Sequence, residues 1–190
     1  MRVSREQVAE NRRKILEAAG RLFRERGFEA VTVAEVMQAA GLTHGGFYGY
    51  FKSKTELIAE ALAGMLTATG SDIDLSRYAA KYLSSAHRAD VAGGCPTAAL
   101  ASETLRQAPE ARAAMTAGLR RQIEDLSKHA PGDSETERRQ AAIGSWAAMV
   151  GAMILARMSN DHALSDEILD QTRAWLGTQN HKSKSNRRVS

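Results

Sequence analysis

A chain of 190 residues, 43% of them hydrophobic, is long enough to bury a real core and suits either one large domain or a small one fused to a larger one. The formal charge of +4 belongs to the tail, because the last ten residues hold Lys182, Lys184, Arg187 and Arg188 and no acid, leaving about zero for everything before them; it is no argument that the folded body binds nucleic acid. A single cysteine, Cys95, excludes an intrachain disulfide framework and any multi-cysteine metal site, the histidines are scattered, and the common nucleotide-binding and catalytic signatures are absent, so the expectation is a non-enzyme with no metal and no cofactor.

The N-terminus lacks the apolar core and cleavage site of a signal peptide, and the apolar run 146–156 is too short to span a bilayer; a soluble, cytoplasmic protein is expected. Apolar residues recur at helical spacing almost throughout, alternation with period two is missing, and the three prolines stand at 96, 109 and 131, which predicts an all-α protein. Ser4 and Gln7 read as a capping box for a first helix with Val8, Ile15, Leu16, Ala19, Leu22 and Phe23 on one face, closed by Gly27 in a left-handed conformation. Thr32 and Glu35 cap a short second helix carrying Val33, Val36 and Met37, which stops at Gly41. Thr43 then caps a third, and Ser53 with Glu56 a fourth that carries Leu57, Ile58, Ala61 and Leu62. Two short helices joined at a glycine and flanked by longer ones have the form of a helix-turn-helix. Beyond Gly70, alanine-rich helices are predicted over 72–90, 96–107, 110–129, 134–159 and 164–177.

The segment GLTHGGFYGYFKSK, residues 41–54, holds four aromatics, Phe47, Tyr48, Tyr50 and Phe51, among four glycines. In a helix-turn-helix the second element enters the major groove with its N-terminal residues at the base edges. Gly45 and Gly46, without side chains, permit a close approach to DNA at a helix-propensity cost of about 1 kcal/mol each. Tyr48 and Tyr50 offer hydroxyls to phosphates, Lys52 and Lys54 supply charge, and Phe47 and Phe51, four apart, face inward as anchors. The alternative is a small aromatic core with a glycine loop.

The stretch TVAEVMQAAGLTHGGFYGYFKSKTELIAEAL, with the preceding RRKILEAAGRLFRERGFEA, resembles the DNA-binding segment of the TetR/AcrR family of bacterial transcriptional regulators. The likeness covers about residues 11–62 and includes Arg-Gly-Phe at 26–28, Ala-Gly-Leu at 40–42 and Tyr-x-Tyr-Phe-x-x-Lys at 48–54. It implies phosphate contacts for Thr32, Tyr48, Tyr50 and Lys54 and base contacts for Thr43, His44 and Gly45. Gly46 and Gly49 depart from the common pattern, and His44 is the one long polar side chain at the front of the recognition element.

The resemblance further implies a homodimer in which the last two long helices of each subunit pair into a four-helix bundle, a palindromic double-stranded operator read by two recognition elements, and a small-molecule inducer held in the larger domain. Ile143, Ala147, Val150, Gly151 and Ile154, with Ile168, Thr172 and Trp175 on the last helix, suit the pairing, their small members allowing close approach. Trp146 reads either as part of that stripe or as ordinary core. Candidate ligand contacts are Tyr78, Tyr82, Met115, Leu119, Trp146, Met149 and Met153, methionines adapting to varied shapes but at helical spacing also being plain core. Cys95 sits at a predicted N-cap before Pro96, where helix amides favour a thiolate, so a thiol sensor of oxidants or electrophiles is an alternative, beside an inert packing residue. A Cys-His enzyme using His87 lacks an oriented base and an oxyanion site, and a nonspecific architectural DNA binder would rest on the basic tail. The expected organisation is a helix-turn-helix head at 1–52, a ligand-binding and dimerisation domain at 53–177 and a flexible basic tail at 178–190, together a regulator expected to act as a repressor that leaves its operator when ligand binds.

Overall fold

In the computed structural model the described residues are 4–66 and 75–186, with side chains described to residue 178. All elements among them are helical: α1 (Arg5–Ala30), α2 (Val33–Ala39), a 3-10 helix (His44–Gly49), α3 (Lys54–Met65), α4 (Leu75–Tyr82), α5 (Ser85–Ala89), α6 (Pro96–Thr104), α7 (Pro109–His129), α8 (Glu135–Met158) and α9 (His162–Asn186). The chain divides into two compact units, one formed by Met1–Thr67 with Val91–Gly118, the other by Ala68–Asp90 with Leu119–Ser190.

In the first unit α1 packs on α2, α3 and α6. The periodicity of α1 buries Ile15, Ala19 and Phe23, and Phe23 meets Phe28 edge-on at 5.3 Å between ring centres. Val8, two turns before Ile15, is exposed. Gly27 interrupts α1 as the sequence predicts, but at φ 81 and ψ 168, a positive φ with an extended ψ instead of the left-handed helical region. The reason lies 75 residues away: Glu103 on α6 places its carboxylate over this kink and accepts from Phe28 N at 2.7 Å. A Cβ on Gly27 would stand 2.4 Å from Glu103 Oε1. Residues 91–118 thus contribute structurally to the unit that carries the helix-turn-helix, Arg24 Nε also donating to Ala92 O at 2.5 Å.

In the second unit α8 packs against α9 and α5, and α4 against α9. The helix predicted over 72–90 has its first three residues outside the described ones; the rest is broken at Leu83, because Ser84 accepts from His87 N at 3.1 Å and starts α5 afresh. Arg157 on α8 then closes the C-terminus of α5, donating to the carbonyls of His87 and Arg88 at 2.8 and 3.1 Å. Arg88 donates to buried Ser165 at 2.6 Å and pairs with Asp166 at 2.7 Å, while Ser165 Oγ donates to Ala156 O at 2.6 Å and fixes the α8–α9 corner. By length and composition α8, at 24 residues, is long and apolar enough to cross a membrane, which the run 146–156 alone is not. Its buried face, Ala142, Trp146, Met149, Met153 and Ala156, marks it as the core helix of this unit. The backbone of α9 is helical to Asn186, into the basic segment whose last four residues lie outside the described ones.

Candidate nucleic-acid interface

The turn begins where α2 stops. Gly41, at φ 72, reverses the chain, with Gly41 N donating to Gln38 O and Leu42 N to Met37 O, a glycine-dependent C-terminal closure. The next element is a 3-10 helix and not an α-helix, since three glycines in six residues weaken the α-helical preference and leave a short, tighter i→i+3 turn. Thr43 starts it through its carbonyl, which accepts from Gly46 N at 3.1 Å, but the expected side-chain cap is absent and the hydroxyl stays on the exposed surface.

Phe47 and Phe51 are buried and stack at 5.8 Å, so the one-turn spacing acts as the anchor the sequence predicts. Arg12 of α1 lies 4.3 Å over the Phe51 ring, donates to Tyr50 O at 3.0 Å and is paired with Glu60 of α3, tying three elements together behind the turn. Outward of these anchors stand Thr43, His44, Gly45, Tyr48 and Lys52, all exposed, with Gly46, Tyr50 and Lys54 half-buried. Tyr48 is 76% exposed, an unusual position for one of only four tyrosines. Neither Lys52 nor Lys54 enters an ion pair among the described residues. A Cβ on Gly45 or Gly49 would meet nothing within 4 Å, and on Gly46 only ordinary contacts from 3.7 Å outward. Packing inside the protein therefore demands none of these three glycines.

Thr32 is differently occupied. Its hydroxyl accepts from Glu35 N at 3.2 Å and donates to Glu35 Oε2 at 2.8 Å, while Thr32 N donates to the same carboxylate, completing the capping box. These bonds from Thr32, with Arg26 at 2.8 Å, hold the Glu35 carboxyl down at about 2, and Arg26 offsets its charge at the α2 N-terminus. Ser53 caps α3 by accepting from Glu56 N at 3.1 Å, and Glu56 reaches back to Lys52 N. At the head of α1, Ser4 accepts from Gln7 N, but Gln7 turns its amide to Asn11 instead of completing the box.

One further group belongs to this surface and was not anticipated: Asn11 Nδ2 donates to Tyr50 Oη at 2.8 Å. The partners are 39 positions apart, so no local pattern joins them. The one available signal is an asparagine inside a helix, a residue type that disfavours that place unless its amide is used.

The residues considered for a ligand fall into two groups. Tyr78, Tyr82 and Trp146 come together in the second unit, with ring centres 6.0 Å apart for the tyrosines and 5.4 Å for Tyr82 and Trp146. Met149 and Met153 are buried on the same helix as Trp146, whose place is core and not the exposed stripe, and Leu119 is half-buried. Met115 and Cys95 belong to the first unit. Cys95 is the half-buried N-cap of α6 with Pro96 at the first helical position, and its thiol makes no cap bond. His87 Nδ1 donates to Tyr82 O at 2.6 Å and the ring meets the Tyr82 ring edge-on; burial pushes its pKa below the ordinary imidazole value. Among the described residues no cluster of three or more His, Cys, Asp or Glu side chains could hold a metal.

The exposed side of the α8–α9 pair is apolar. Ile143, Ala147 and Ile154 are exposed and Val150 and Gly151 half-buried on α8, facing the same way as half-buried Ile168 and Thr172 and exposed Trp175 on α9. Leu155, Met158 and Leu164, which sequence reading passed over, extend the stripe. A groove of about 520 Å³ runs between the two helices, lined by Gly151, Leu155, Ile168, Thr172 and Trp175 among others.

An all-α chain with a glycine-turned pair of short helices, inward aromatics and outward polar groups is a helix-turn-helix protein. Residues 15–61 match the family described as bacterial regulatory proteins, tetR family. The HTH-type transcriptional repressor KstR2 of Mycobacterium tuberculosis is 42% identical over 60 residues, 32% of this chain and 30% of that protein. The chain thus matches under a third of the length of such curated relatives. An uncharacterized HTH-type transcriptional regulator of Mycobacterium tuberculosis is 28% identical over 185 residues, 87% of this chain and 93% of its own length. The crystal structure of reduced E. coli NemR superposes with a TM-score of 0.68 at 25% identity, covering 87% of this chain and 94% of that one. Both Mycobacterium tuberculosis relatives are named as transcriptional regulators.

Proposed function

We propose that this protein is a sequence-specific transcriptional regulator, a repressor that binds a palindromic operator as a homodimer in the cytoplasm and is released by a small molecule. Residues 1–52 carry DNA binding and residues 53–177 carry ligand binding and dimerisation. The observation that supports this most is the recognition turn, where three glycines that internal packing does not require stand beside exposed Tyr48 and two lysines that enter no ion pair among the described residues. A polyanionic surface pressed close to the backbone gives all of these a use.

In this reading His44, Thr43 and Gly45, with Gly46 beside them, meet base edges. Tyr48, Tyr50, Lys52 and Lys54 meet phosphates. Thr32 has its hydroxyl taken by Glu35, so its contribution is to present the α2 N-terminal amides to a phosphate. The exposed apolar side of α8 and α9 pairs with the same surface of a second copy, an isologous contact that places two recognition turns on one face of a duplex. The inducer sits by the Tyr78, Tyr82 and Trp146 cluster, and Cys95 serves as a helix cap.

The test is a titration of duplexes from the chain's own upstream DNA. His44→Ala is expected to relax preference at particular base pairs, whereas Lys54→Ala weakens all sequences alike and lowers the salt slope by about 0.9. Equal losses on every sequence for His44→Ala would remove its base-reading role.

A further inference from the structure

We propose that Asn11 is a positioning residue for DNA binding: it holds the Tyr50 hydroxyl oxygen as an acceptor, leaving the phenol's one O–H proton to donate outward to a backbone phosphate. The inference rests on the reading that Tyr50 faces DNA. A phenol has one donor proton and can also accept, whereas a phosphate diester only accepts. Tyr50 can therefore bond a phosphate only if nothing inside the protein takes its proton.

The bonds around it run in that sense. Gln7 Nε2 donates to Asn11 Oδ1 at 2.9 Å, which occupies the amide oxygen, and Asn11 Nδ2 donates to Tyr50 Oη at 2.8 Å. Were the Asn11 amide reversed, its oxygen would draw the phenol proton inward and present a bare lone pair to the phosphate. Gln7, on the preceding turn of α1, selects the useful orientation through its side-chain amide, while its backbone N–H donates to Ser4 Oγ at 3.1 Å and anchors the start of the helix. From the adjacent position Arg12 holds the other side of the same residue, donating to Tyr50 O at 3.0 Å. The first three turns of α1 thus set both the place and the hydrogen-bonding sense of Tyr50.

The experiment is a double-mutant cycle of Asn11→Ala and Tyr50→Phe, read as affinity for a labelled duplex from the chain's own upstream DNA at fixed salt, with thermal melting of each variant alongside. Alanine is the better helix former, so Asn11→Ala leaves α1 intact. Tyr50→Phe is expected to weaken binding about tenfold, the scale of one charge-assisted hydrogen bond. Asn11→Ala should cost several-fold in the tyrosine background and nothing further in the Tyr50→Phe background. An Asn11→Ala loss of the same size in both backgrounds, or no loss in either, overturns the proposal while Tyr50 keeps its DNA role. A Tyr50→Phe variant that binds as the wild type overturns the Tyr50 reading and the proposal with it.

Discussion

The recognition turn and the α8–α9 face both stand open to solvent, and they are built from opposite materials. The turn hides its apolar rings, Phe47 and Phe51, and shows glycine backbone, hydroxyls and lysines. The α8–α9 face hides Trp146 and Met149 and still shows Ile143, Ile154, Met158 and Trp175. A surface of the first kind loses nothing in water and gains against a charged polymer; one of the second kind gains only when another apolar surface covers it. The difference is what the proposed assignment of the turn to DNA and of the helix pair to a second copy of the chain would require.

The largest effect is expected from placing a charge in the apolar face. Ile154→Asp should turn the proposed dimer into a folded monomer, seen by sedimentation with unchanged far-UV circular dichroism, and lower operator affinity more than about 100-fold because paired half-sites are lost together. A variant that stays dimeric would move the interface elsewhere. Gly27→Ala comes next: its Cβ collides with the Glu103 carboxylate at a φ that L-residues rarely adopt, so a loss of about 2–3 kcal/mol is expected in urea unfolding. Gly45→Ala should separate stability from function. With open space around the new methyl, the fold is expected to hold or gain up to about 1 kcal/mol, while DNA affinity drops several-fold as the backbone is held off the groove. If affinity is unchanged, close approach at Gly45 is not part of the interface.

The smallest effect concerns pH. Burial, ahead of the nearby Arg157 and Lys81 charges, lowers the His87 pKa in the fold, whereas the Tyr82 carbonyl and Asp90 favour the charged ring less strongly. The unfolded chain then takes up the proton at higher pH than the native one, so stability is fully present above about pH 6.5 and falls as pH drops below it. Glu35, Glu10 and Glu137, all held below the usual carboxylate value, add a second loss only below about pH 4.5. His87→Asn, which keeps a donor for Tyr82 O, should flatten the first step in melting curves and leave the second.

Local signals account for what the sequence made legible. The caps at Ser4, Thr32, Ser53 and Cys95, the stop at Gly41 and the inward pair Phe47 and Phe51 each depend on residues within four positions of one another, so they could be read directly. The exposed stripe on α8 follows from periodicity, although periodicity could not say that Trp146 turns inward to Tyr82. Long-range pairs left no trace: Asn11 with Tyr50, Arg12 with Glu60 and Glu103 with Phe28 are separated by 39, 48 and 75 positions. The chain's return to the first unit at Val91–Gly118 was hidden for the same reason, since an alanine-rich amphipathic helix fits many partners equally well.

The measurement that bears most directly on the assignment of the two faces is sedimentation of the protein with a palindromic duplex from its own upstream DNA, beside a half-site and a scrambled duplex at the same salt. The account predicts two chains on the palindrome and much weaker binding to the half-site and the scrambled sequence. One chain bound as tightly to the half-site, or equal binding to the scrambled duplex, would contradict it.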